Sequence, residues 1–173
     1  MSRKLRHKIK IDGQETVTLD HGQIVPRILY GLAGCTPHFD DAYTIPGLEQ
    51  HRAGIKIVFN AMLHVARPLV RFPKESKDLF PEGSKIADIT HQIISFHSPI
   101  GAAFQSGRGM YYSKLESEIL IGVLEKLIRL NIPALPIHDA VMIRHDHEAT
   151  VTAIMKAIFQ DLTGVVAIVE RDD

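Results

Sequence analysis

Three short stretches of this 173-residue chain carry residue types suited to phosphoryl chemistry. Asp20 closes the alternating run "TVTLD", just ahead of a segment with helical character. Asp139 follows His138 in "ALPIHDAVMIR", between two short apolar runs. Arg52 and Lys56 stand four residues apart in "HRAGIKIVFNAM", which puts them on one face of a helix. Carboxylates at two strand ends are the oxygen donors that Mg²⁺ prefers, an ion that keeps several waters and binds substrate phosphates. A pair of such ions activates an attacking oxygen and stabilises the leaving one. Two cations on one helix face would grip the phosphates of a nucleoside triphosphate through charge-assisted hydrogen bonds. The bland alternative makes Asp20 a helix cap, His138-Asp139 a polar turn, and the Arg52–Lys56 pair a solvated face.

These residues act together only if the surrounding elements bring them together. Asp12-Gly13 between "KIKI" and "ETVTL" predicts a hairpin turn, since both residues tolerate positive φ. The strand that follows alternates Val17 and Leu19 with Thr16 and Thr18, and it delivers Asp20. "GQIVPRILYGLAG" predicts a helix, with Pro26 in its first turn and Gly34 as its stop. The spacing of Ile55, Val58, Phe59, Met62 and Val65 predicts a helix over 50–66. Residues 67–84 hold three prolines and many charges, and read as a mobile connection. A helix is expected over 85–97, and the most periodic segment is 109–130, striped by Leu115, Ile119, Val123, Leu127 and Leu130. The hairpin over 134–144, a helix over 147–162 and a strand "GVVAIVE" complete the chain. This order predicts an α+β fold, an antiparallel sheet backed by helices.

Bulk composition narrows the classes. Apolar residues make up 45% and charged residues 23%, ordinary for a globular domain, and 173 residues suit one domain. Formal net charge is zero, so no global basic field announces tight non-specific DNA binding, although "SRKLRHKIK" at the start is locally basic. The single cysteine, Cys35, forms no internal disulfide and fits a reducing compartment. No apolar run approaches a membrane span, so a cytoplasmic protein without a membrane partner is expected.

In order and placement, the motifs resemble the palm and a reduced fingers region of family A DNA polymerases, relatives of single-subunit phage-type RNA polymerases. "TLDHGQIVPRIL" resembles the first catalytic motif, with Asp20 at the metal ligand and Gln23, Ile24 and Arg27 in register. "RAGIKIVFNAML" resembles the fingers helix, where Arg52 and Lys56 meet the incoming triphosphate. "FQSGRGM" is similar to the start of the helix that touches template-primer, carried by Gln105. "LPIHDAV" resembles the third motif, with Asp139 as second metal ligand and His138 shaping the turn beside the substrate.

The resemblance implies a palm-like domain over 1–173 with a fingers-like insertion at 38–84. It implies two-metal nucleotidyl transfer with Mg²⁺ or Mn²⁺, and template-primer and nucleoside triphosphates as partners. Several positions depart from the family pattern. Val25 replaces the glutamate that gates the sugar, which leaves room for ribonucleotides and a primase-like activity. Asn60 and His64 stand where aromatic residues stack on the incoming base, and Ala140 follows Asp139 in place of a carboxylate or hydroxyl. The thumb and exonuclease regions of the family are missing, so a homo-oligomer or a partner protein is expected to replace the thumb.

Three other readings compete. In one, the chain is a catalytically silent remnant that binds nucleic acid or a replication protein. An HD-type metal phosphohydrolase would need His138-Asp139 on a helix, which Pro136 and the β-favouring "AVMIR" oppose. "HDH" at 145–147 offers imidazoles to a transition metal, but reads equally as a helix start with Asp146 suited to the dipole.

Overall fold

The computed structural model describes residues 8–172, so most of the basic opening stretch lies outside the described residues. The architecture is α+β, an antiparallel sheet with helices. The strands are β1 (Lys10–Ile11), β2 (Gln14–Gly22), β3 (Ala134–Ile137), β4 (Ala140–Arg144) and β5 (Ile168–Arg171). The α-helices among the described residues are α1 (Ile24–Leu32), α2 (Arg52–His64), α3 (Ile86–Phe96), α4 (Gly109–Arg129) and α5 (Glu148–Thr163). The chain divides into two compact units, one running to Ile28 and resuming at Lys114, the other Leu29–Ser113, which contains the whole 38–84 stretch.

The first unit is built on β2. Asp12 and Gly13 both take positive φ, 51° and 76°, so the β1–β2 connection is the two-residue turn their sequence favours. Along Thr16–Leu19, β2 pairs antiparallel with β4, and along Leu19–Gly22 it pairs antiparallel with β5. β3 covers the other edge of β4. Leu19 points into a core with Val123 and Leu127 of α4, Val141 and Ile143 of β4, and Val151 and Met155 of α5. β4 is buried from Ala140 to Ile143, which explains its unbroken apolar run. Each large aliphatic side chain buried there contributes roughly 1.5–3 kcal/mol. A neighbouring cluster joins Ile24 and Ile28 of α1 to Ile119, Phe159, Val165 and Ala167.

Two expectations are corrected in this unit. Leu130 is not part of the α4 stripe: it is 47% exposed, because the helix ends at Arg129. Asn131 turns left-handed (φ 53°), and the Ile132 and Asn131 amides close back on the Leu127 and Ile128 carbonyls, so Ile132 enters the core instead. The last strand starts at Ile168 rather than at Gly164. Val165 and Ala167 are buried against α1 and Phe159, and the Val165 amide bonds to the Thr163 hydroxyl rather than to a strand.

The second unit packs α2 and α3 around aromatic rings. Phe59 meets Tyr43, His97 and Phe104 edge-on, at 5.6, 5.3 and 5.0 Å between ring centres. His97 is fully buried, with Nε2 2.8 Å from the Ala42 carbonyl and Nδ1 3.3 Å from the Tyr30 hydroxyl. A carbonyl only accepts, so Nε2 carries the proton and Nδ1 accepts from Tyr30. Burial pushes His97 down to about 4, and His38 beside it pushes the same way. The 67–84 connection has no strand or α-helix, but its second half is packed down rather than loose. Phe80 rests on Phe72 and His51 and lies against Gly54, where an added Cβ would fall 2.7 Å from the ring. Ser76 is buried, its hydroxyl donating to the Pro73 carbonyl at 2.8 Å.

Candidate active site

In the first unit, Asp20 and Asp139 reach the same end of the sheet by different routes. The β2–β4 register pairs Leu19 with Val141, so one step further Asp20 faces Ala140, the neighbour of Asp139. Asp139 is the second residue of the two-residue turn that joins β3 to β4, where Ile137 pairs with Ala140. The first turn residue, His138, has φ 56°, a left-handed conformation that a non-glycine residue adopts at some cost. Both are exposed. The hairpin thus holds a strained turn whose effect is to fix where Asp139 stands.

Two further carboxylates face this end. Glu116 of α4 is half-buried, and its carboxyl is pushed up to about 7, first by burial and then by the charges of Asp139 and Asp20. Glu170 pairs directly with Asp20 across β2 and β5. Its carboxyl lies over Gly22, where an added Cβ would fall 3.1 Å from Glu170 Cδ. Like charges set opposite one another in a sheet are destabilising, and a carboxyl held near neutrality beside two others marks a concentrated negative field. His21, next to Asp20, is buried against Phe159 with Nε2 3.4 Å from the Met155 carbonyl. Burial lowers its pKa, against the opposing pull of the Met155 carbonyl and the Asp139 charge.

The chemistry of these donors suits a hard divalent cation: they are oxygens only, and a cation there would relieve the field that raises Glu116. Among the described residues, no group of three or more His, Cys, Asp or Glu side chains is gathered tightly enough to hold an ion by itself. Two carboxylates completed by water and substrate phosphates are the arrangement Mg²⁺ commonly accepts. The "HDH" stretch behaves as a helix start: it forms a 3-10 turn before α5, and Arg144 forks onto Asp146.

Arg27, also in this unit, is buried on α1 and donates from Nη1 to the Val166 carbonyl at 3.1 Å, tying α1 to the approach to β5. The remaining residues singled out in the sequence lie in the second unit. Gln105 has φ 57° and its amide donates to the Met62 carbonyl at 2.6 Å, docking its loop on the end of α2. Arg52, at the start of α2, forks onto Asp41 through Nε and Nη2. Its guanidinium and the Lys56 ammonium stand over the Tyr43 ring, 5.5 and 5.7 Å from its centre. The Arg52 guanidinium and two hydrogen bonds, from the Tyr43 amide and the Thr44 hydroxyl, outweigh partial burial and hold the Asp41 carboxyl below its usual range.

Glu116, Glu170, Asp41 and Tyr43 had no motif to announce them. Glu116 left a weak signal: it falls in the Tyr112–Glu116–Ile119–Val123 spacing, a carboxylate on the apolar side of a helix.

No protein-family model matches the sequence, and no curated protein matches it. The POL domain of Pol1 from M. smegmatis, solved in complex with DNA primer-template and dNTP, is a structural match. It aligns with 98% of this chain at a TM-score of 0.58 and 12% identity. The fold is polymerase-like. The chain spans 41% of the length of that polymerase structure, and at this identity the likeness concerns fold alone. No described helix is long and apolar enough to cross a membrane.

Proposed function

We propose that the chain is a template-directed nucleotidyltransferase of the family A polymerase type, adding nucleotides to a nucleic-acid primer. The observation that carries this reading is the gathering of Asp20, Asp139 and Glu116 at one end of a polymerase-like sheet. In this reading Asp20 and Asp139 would hold divalent metal, Mg²⁺ or Mn²⁺, which would supply positive charge for an attacking primer hydroxyl and a leaving pyrophosphate. Glu116 would face the same cation, whose charge would favour its ionised form. His138 fixes the turn that presents Asp139, and the buried His21 packs the strand beside Asp20. Arg52 and Lys56 take the triphosphate of the incoming nucleotide, while Gln105 and Arg27 support template-primer and the first motif. Val25 leaves the sugar position open, so ribonucleotides are accepted alongside deoxyribonucleotides.

Primer extension with Mg²⁺ and with Mn²⁺, using dNTPs and rNTPs separately, tests the reading. Incorporation that is lost in Asp139→Asn supports it. Absence of incorporation under every condition, with nucleic acid still bound, favours a silent nucleic-acid-binding module. That second reading draws on the engagement of Arg52 by Asp41.

A further inference from the structure

We propose that Asp41 and Tyr43 make the Arg52–Lys56 pair an anion site selective for polyphosphate, with Asp41 as a tethered competitor that a single phosphate does not displace. The inference rests on Arg52 and Lys56 being the triphosphate contacts of the proposed reaction.

Tyr43 gives the two cations a common platform. Its ring is buried and packed edge-on against Phe59, with interplanar angle 87°, so it holds a fixed plane. Arg52 and Lys56 both stand over that plane, one helical turn apart. A chain of phosphates can give each cation its own phosphoryl group, which a lone phosphate cannot do.

Asp41 then sets the threshold. Its two oxygens take Nε and Nη2 of Arg52, the same fork that a phosphate would use. The carboxylate is held in place by the Tyr43 amide at 3.1 Å and the Thr44 hydroxyl at 2.8 Å. It cancels one of the two positive charges. Being tethered, it competes at a high effective concentration with any free anion. The Arg52 and Asp41 side chains are 50% and 24% exposed, so solvent weakens the pair enough for a multiply charged ligand to break it. A triphosphate gains Lys56 as it releases Asp41; inorganic phosphate gains one contact and loses another.

The test is calorimetric titration of the full chain with inorganic phosphate and with inorganic tripolyphosphate, in chelator so that the carboxylate end stays metal-free. The wild type is expected to prefer tripolyphosphate by at least about tenfold. Asp41→Asn removes the charge and keeps one acceptor oxygen, for the Tyr43 amide, while its Nδ2 donates to the Thr44 hydroxyl instead of accepting from it. It should tighten inorganic phosphate binding by up to roughly fivefold, the scale of an exposed ion pair, and narrow the preference. Asp41→Ser serves the same purpose if the asparagine variant does not fold. An unchanged preference in these variants overturns the role of Asp41 and leaves the triphosphate reading standing, provided Arg52→Gln with Lys56→Gln abolishes tripolyphosphate binding. Tripolyphosphate binding that is absent, or insensitive to that double change, overturns both.

Discussion

The two units handle charge in opposite ways. At the sheet end of the first, carboxylates gather, and Glu116 is raised to about 7 by burial and by Asp139 and Asp20. On the helix face of the second, Arg52 meets a carboxylate and, with Lys56, a ring, and Asp41 is pushed below its usual range. Folding alone gains nothing from the first arrangement, because concentrated like charge destabilises the native state until a cation arrives. The second is already balanced, so a ligand there must replace something. In the proposed reading, one end takes a cation, and the other asks its ligand to compete.

The largest expected effect comes from disturbing the acidic end. Asp139→Asn should reduce nucleotide incorporation on the order of 10³-fold or more, as when a charge-stabilising group leaves an active centre. Arg52→Gln should mainly raise KM for the nucleotide; the reverse pattern, KM fixed and kcat collapsed, would undo the division of labour between the units.

Next in size is an acid effect confined to the second unit. His97 titrates near 4 when folded against an ordinary 6.5, its neighbours being Tyr30, His38 and the Ala42 carbonyl. The unfolded chain therefore takes up a proton first as pH falls, and stability drops between about 6.5 and 4, by roughly 3 kcal/mol in all. Chemical denaturation across that range measures it, and His97→Phe should flatten the slope.

Glu116 has the opposite sign. Its folded pKa of about 7 exceeds the ordinary 4.5, so the native state holds the proton more tightly and stability is lost as pH rises from about 4.5 to 7. Allowing for its partial exposure, Glu116→Gln should stabilise the metal-free protein at pH 8 by up to about 2 kcal/mol and do nothing at pH 4. Saturating Mg²⁺ should erase that gain; a gain that persists in Mg²⁺ would mean the cation binds elsewhere. The smallest effect is on the balanced side, where Asp41→Asn should change stability by less than about 1 kcal/mol, the range of an exposed pair.

Much of the frame is legible locally. Asp12-Gly13, Pro26 with Gly34, and His138-Asp139 each mark their turn or cap by side-chain type, and the apolar stripe of α4 marks its buried face. The fold class follows from those signals. The misses depend on contacts distant in sequence. Leu130 and Ile132 exchange places because Asn131 reverses the chain, a φ choice that periodicity does not carry. Val165 and Ala167 read as strand residues, yet α1 and Phe159 claim them for the core. For the site, Asp20 and Asp139 stand at recognisable strand and turn positions. Glu116 shows only as a carboxylate in an apolar helical spacing, Glu170 gains meaning from Asp20 across the sheet, and Asp41 from Arg52 eleven residues on.

The central claim is that Asp20 and Asp139 form one divalent-cation site. Mn²⁺ titration followed by electron paramagnetic resonance, on the wild type and on Asp20→Asn with Asp139→Asn, tests it without requiring turnover. The account predicts bound Mn²⁺ in the wild type, displaced by Mg²⁺ and lost in the double variant. Equal Mn²⁺ binding by both proteins would contradict it.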